Sequence, residues 1–152
     1  MGFDVLWLED DWRYHNHEPL DWGGGVEQAF LEKFSLRVGQ PVSRERLVAA
    51  ILDPGDPHPW RETWLRLWRT QSESNAASIR DAVQSVAPHA TLGLMSSSPE
   101  VHCSEGREWS GLFDAMTIAG RALHRPHYAS YGEASGTCLA WSAAMLDVQR
   151  SL

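Results

Sequence analysis

The sequence predicts an α/β protein of parallel βα units. Three observations carry that expectation. Two short apolar runs, Phe3–Leu8 and Thr91–Met95, each stop abruptly at a polar cluster, as buried parallel strands do. A 3.6-residue apolar period runs from Trp60 to about Ala87 between them. Strand-like and helix-like segments then alternate along the rest of the chain, which is the order of βα units.

The first run ends at Glu9-Asp10-Asp11, so it reads as a strand whose C-terminal end carries three carboxylates. Trp12 to Gly25 has no clear period, and Pro19 with Gly23-Gly24-Gly25 makes it a long loop. Helical spacing begins near Val26, with Phe30 and Phe34 four apart on one face and Gly39 as the stop. Ser43 caps a short helix through Leu47, Val48 and Ile51, closed by Asp53-Pro54-Gly55. The period from Trp60 to Ala87 gives one helix of about 28 residues, on the order of 42 Å long. Trp60, Trp64 and Trp68 recur every four residues on it, which is core spacing. Pro88 ends that helix, and Thr91–Met95 is the second strand. Trp109, Leu112, Phe113 and Met116 mark a helix of roughly 12 residues ending at Gly120. Ala122–Tyr128 is a weaker third strand, since Pro126 suits a strand end better than its middle. A last helix takes up Leu139, Ala140, Ala143, Ala144, Leu146 and Val148.

Composition narrows the function. The chain has 152 residues, 43% of them hydrophobic, with 13 Lys+Arg against 20 Asp+Glu and a formal net charge of −7. That is the make-up of a soluble globular domain, because so much apolar surface can offset the backbone entropy lost on folding. An acidic balance without a block of Lys or Arg argues against nucleic acid and against an anionic membrane surface. No apolar run reaches the ~18 residues of a membrane span, and the N-terminus lacks the basic and apolar regions of a signal peptide. A cytoplasmic protein is expected. Cys103 and Cys138 are too few for a disulfide framework and read as ordinary thiols.

Sites in parallel α/β proteins lie at the C-terminal ends of strands. After the first strand come Glu9, Asp10, Asp11, Trp12, Arg13, His15, His17 and Trp22. Ser96-Ser97-Ser98, His102, Glu105 and Arg107 follow the second, and Arg125, His127 and Tyr128 end the third. If the units are adjacent, all three clusters converge on one pocket for a polar ligand. Crowded carboxylates repel, which raises the pKa of one and suits it to general acid work. Glu9, Asp10 and Asp11 are therefore the candidate acid/base groups, and glycoside hydrolysis is a chemistry that needs a carboxylate pair. The bland alternative is an acidic run that ends its strand in solvent. His15-Asn16-His17 would serve a metal-dependent hydrolase, although two loop imidazoles also suit hydrogen bonds to a substrate; no metal and no cofactor is expected. The serine run lacks the G-x-S-x-G frame of a nucleophile elbow.

Three βα units cannot close an eight-stranded barrel, which takes roughly 250 residues, and no strand is followed by the Gly-rich turn of a dinucleotide fold. The expectation is a partial TIM-barrel-like segment spanning 1–152, about three strands and a long Trp-rich helix, cut from a larger (β/α)8 barrel. The run LWLEDDWRYHNH, the Gly-rich turn, the proline-bounded Trp-rich helix and ATLGLMSSSPEVHCSEGREW resemble the middle of a clan A, β-galactosidase-like glycoside hydrolase. The resemblance implies strands four to six of that barrel, with Asp10-Asp11 where the clan has an Asn-Glu pair and Glu9 one or two positions early. It implies that the nucleophile of the seventh strand lies beyond Leu152, so that the chain alone would be half of a sugar site. Trp12 or Trp22 would stack on a pyranose, with Arg13, His15, His17, His102, Glu105, Arg107, Arg125 and His127 reaching hydroxyls.

The expected function is thus a glycosidase-like domain acting on or binding a carbohydrate. A metal-dependent hydrolase and a non-catalytic sugar-binding module are the alternatives. Self-association through exposed sheet edges is a further expectation.

Overall fold

The structure is a computed structural model that describes residues 2–9, 25–96 and 106–125. Within them the chain forms β1 (Val5–Leu8), α1 (Gln28–Val38), α2 (Arg44–Leu52), α3 (Pro59–Val86), β2 (Thr91–Met95), α4 (Trp109–Met116) and β3 (Leu123–Arg125). It is an α/β protein with a parallel sheet, as the alternation of elements predicts. Its contacts divide it into two compact units, and α3 contributes to both: up to Ser72 in a helical unit and from Glu73 in a sheet unit.

The helical unit follows from local signals. Gly39 ends α1 in the left-handed region at φ 73°, where a side chain would be strained. Ser43 caps α2 by accepting a hydrogen bond from the Arg46 N–H. The backbone N–H of Glu45 and, second to it, the Ser43 hydroxyl hold the Glu45 carboxyl below its usual range. Arg61 satisfies the other end of α2, donating from Nε to the Ile51 carbonyl at 3.0 Å. Phe30, Phe34, Leu47, Ile51, Trp64 and Trp68 form the core. The burial stripe on α3 steps by four through Trp64, Trp68, Ser72 and Ala76, from bulky residues to small ones.

The sheet unit holds the three strands in the order β1-β2-β3, all parallel. Val5 pairs with Thr91 and Leu8 with Leu94; Gly93 pairs with Leu123 and Met95 with Arg125. Alternation sorts the side chains into two faces. Leu6, Leu8, Leu92 and Leu94 join Ala76 and Val83 of α3 and Leu112 and Met116 of α4 in one core. α3 and α4, one from each strand-to-strand connection, therefore cover the same face. Val5, Trp7, Met95 and Leu123 belong to the other face and to neither core cluster.

Two expectations need adjusting. β1 is not enclosed on both faces: Val5 and Trp7 are 36% and 39% exposed, on the face opposite the one that α3 and α4 cover among the described residues. Nor does α4 run to Gly120. It stops at Met116, where Thr117 turns extended and Ile118 and Arg121 bridge to each other. The last expected helix, from Leu139 to Val148, lies outside the described residues, as does the loop from Asp10 to Gly24. No helix among the described residues is long and apolar enough to cross a membrane.

Candidate functional site

Parallel strands in sequential order bring their C-terminal ends to one edge of the sheet. Glu9 follows β1 directly and is exposed, Ser96 follows β2, and Arg125, also exposed, is the last residue of β3. The ladder holds this edge together, with the Ser96 N–H donating to the Arg125 carbonyl at 3.0 Å.

On the helix-covered face, Ser96 Oγ and His124 Nε2 are hydrogen-bonded at 2.6 Å. The imidazole lies against the rings of Trp109 and Phe113, with centroids 5.0 and 4.9 Å away. Burial pushes its pKa down to about 4, so the ring is neutral at pH 7. A seryl hydroxyl beside a histidine suggests nucleophilic chemistry, but two facts oppose it. Ser96 is only 2% exposed, which leaves no approach for an electrophile. An imidazole that binds its proton this weakly is also a poor general base. The pair instead ties the end of β2 to β3 and satisfies two polar groups beneath α4.

The opposite face has a different character. Gly93 sits in the middle of β2, and a Cβ placed on it would fall 2.4 and 2.5 Å from Cε3 and Cζ3 of Trp7. The indole of Trp7 thus occupies the space that any larger residue at 93 would need. Met95 and Leu123, half-buried, lie on the same face, as does Arg125 by its pairing with Met95. Continued alternation along β1 assigns Glu9 to that face as well. Among the described residues, the partly exposed Trp7 thus shares a face of the sheet with Arg125, and Glu9 follows β1 at the same C-terminal edge.

Of the residues expected at the site, Glu9 and Arg125 stand at this edge. Arg107 is 6% exposed and belongs to the helical unit. Asp10, Asp11, Trp12, Arg13, His15, His17, Trp22, His102, Glu105 and His127 lie outside the described residues. Sequence reasoning passed over Trp7 as a site residue, and Gly93 was the missed signal. A glycine inside an apolar strand marks a close approach by something else. Among the described residues no group of three or more His, Cys, Asp or Glu is placed to hold a metal. The helical unit carries a separate open groove of about 970 Å³ between α1 and α2, lined by Leu31, Leu36, Pro41 and Val42 among others. Its hydroxyls serve the backbone: Ser35 accepts from the Val42 N–H and Ser43 caps α2. No protein-family model, curated protein or solved structure matches this chain.

Proposed function

We propose that the chain is a glycosidase-like α/β unit that engages a carbohydrate at the C-terminal edge of its sheet. The observation that supports this reading best is the winding. Strands in the order β1-β2-β3, with α3 and α4 on one face, match the way a barrel wall is built, helices outside and the opposite face inward. Such a wall presents its strand ends to the ligand. Glu9 and Arg125 are at those ends, and the acidic run continues as Asp10-Asp11.

In this reading the strand-end carboxylates supply the general acid or base. Hydrolysis would also need a second carboxylate about 5–10 Å across a cleft. The proposal therefore predicts binding by the chain as given, with turnover depending on that partner group. The melting temperature of the chain in lactose and in cellobiose, set against the acyclic polyol sorbitol, tests it. A rise of a few degrees with either sugar and none with sorbitol is expected, because a ligand that binds only the folded state stabilises it by mass action. Equal melting temperatures in all three would overturn the proposal.

A further inference from the structure

We infer that His58 is a pH-gated cap of α3, which holds the first turn of that helix while the imidazole is neutral and releases it when the ring gains a second proton. The sequence sets His58 between Pro57 and Pro59. Pro59 disfavours helical geometry at His58 and opens α3 itself, so the first N–H of the helix that needs a partner is that of Trp60. His58 supplies it. Its Nδ1 accepts from the Trp60 N–H at 3.1 Å, and its carbonyl accepts from the Arg61 N–H at 2.9 Å. Serine, threonine, aspartate and asparagine usually take this position. None of those four gains a proton between pH 8 and pH 5, whereas histidine does.

The hydrogen bond fixes the tautomer. A backbone N–H can only donate, so while the bond exists Nδ1 carries no proton and Nε2 does. A second proton makes donors of both ring nitrogens and takes the acceptor away from Trp60. It also sets a positive charge at the positive end of a 28-residue helix. The charged groups around that end, among the described residues, are mixed. Arg46 of α2 and Arg61 of α3 oppose an imidazolium, while Glu62 of α3 and Asp53 and Asp56 of the preceding loop favour it. Arg61 is engaged with the Ile51 and Asp53 carbonyls, and Glu62 with Arg66. Whatever their balance, Nδ1 of an imidazolium has no lone pair left to accept with. The consequence reaches beyond one turn because of what Trp60 carries. Its indole lies edge-on to Phe34 of α1 at a centroid distance of 5.7 Å, with the Arg46 guanidinium of α2 over it at 5.0 Å. The His58 ring stands edge-on to it at 5.1 Å. All three helices of the helical unit thus meet at Trp60, and a first turn that loosens in acid loosens that seam.

The test uses the whole chain, labelled with ¹⁵N. At pH 7.5 a long-range ¹H–¹⁵N correlation of the His58 ring, assigned by its loss in His58→Asn, is expected to show the proton on Nε2 and none on Nδ1. Protection of the Trp60 amide from exchange with water, corrected for the intrinsic pH dependence of exchange, is expected to fall about fivefold from pH 7.5 to pH 5. In His58→Asn, whose cap does not titrate, protection should stay level over that range. In His58→Ala it should be low at both ends. A proton on Nδ1 at pH 7.5 overturns the inference. So does a fall in His58→Asn equal to that in the wild type, which would trace the effect to another group, and so does level protection in the wild type. If His58→Ala fails to fold, the wild type and His58→Asn decide between them. The carbohydrate reading stands or falls separately, since no sugar enters the measurement.

Discussion

Two tryptophans among the described residues rest on glycines, and they end in opposite situations. Trp68 fills the space beside Gly25, where a Cβ would fall 2.1 Å from Cζ2, and is wholly buried. Trp7 fills the space over Gly93 in the same manner and remains 39% exposed. The difference lies in what covers the far side of the ring. Trp68 is enclosed by Phe30, at a centroid distance of 6.2 Å, and by Trp64 at 4.0 Å, and Trp64 in turn donates its indole N–H to the Gly25 carbonyl at 3.1 Å. Trp7 has a sheet beneath it and neither core cluster above it. Close approach to a glycine therefore goes with full burial in one unit and with partial exposure in the other.

The largest effect that could break this contrast comes from truncation. Trp68→Ala should cost about 3–5 kcal/mol, because it removes a large side chain from a sealed core and leaves a cavity. Trp7→Ala should cost less, about 1–3 kcal/mol, since a ring that is 39% exposed surrenders less burial. Urea denaturation of both variants measures the gap, and equal losses would mean that Trp7 is as much core as Trp68. Gly25→Ala comes next. Its φ of +76° adds backbone strain to the clash with an indole that cannot move, for a combined cost of about 2–4 kcal/mol. A Gly25→Ala chain that melts with the wild type would show that the ring has room to shift.

The helical unit was much the more legible of the two in the sequence. Its signals are local: Ser43 before an apolar helix, Gly39 after one, and three tryptophans at four-residue spacing that fix the buried stripe of α3. The sheet unit depends on information that is not local. The span of β2 could be read from Thr91–Met95, but which faces the helices would cover depends on strand order and crossover, which no short stretch encodes. That is why the apolar run of β1 reads as fully buried and proves to be half open. The end of α4 was misjudged for a similar reason, because the period of Trp109, Leu112 and Met116 is compatible with another turn. The Ile118–Arg121 bridge, with Ala119 at φ 51°, turns the chain instead. As for the site, Glu9 and Arg125 were recognisable as strand-end polar residues, whereas Trp7 becomes meaningful only once its register against Gly93 is known.

Acid should act on the covered face of the sheet unit. His124 releases its proton at about pH 4 in the folded chain, against about 6.5 for an unburied histidine. Between those values the unfolded chain binds more protons, so stability held above pH 6.5 is lost as the pH falls toward 4. A shift of this size corresponds to roughly 3 kcal/mol for a fully buried group, and the partial exposure of this ring reduces the expectation to about 1–2 kcal/mol. Melting temperatures from pH 7 to pH 4, compared between the wild type and His124→Gln, isolate the effect. The variant should lose less stability over that range, and parallel curves would remove His124 as the acid-sensitive contact between β2 and β3.

The smallest effect is the most direct probe of the contrast. Gly93→Ala introduces a Cβ as close to an indole as Gly25→Ala does, 2.4 Å against 2.1 Å, but without a positive φ and beside a ring with solvent on its far side. Trp7 is 39% exposed, so its ring has more freedom to shift than the sealed ring of Trp68. Alanine also suits a strand interior slightly better than glycine, which recovers part of the loss. The net cost should stay under about 1 kcal/mol, a small fraction of that for Gly25→Ala. Paired melts of the two glycine variants check it, with Trp7 fluorescence moving to the red in Gly93→Ala as the ring enters water. A loss at Gly93 as large as that at Gly25 would mean that something holds Trp7 from above, and the open face of the sheet would then be closed.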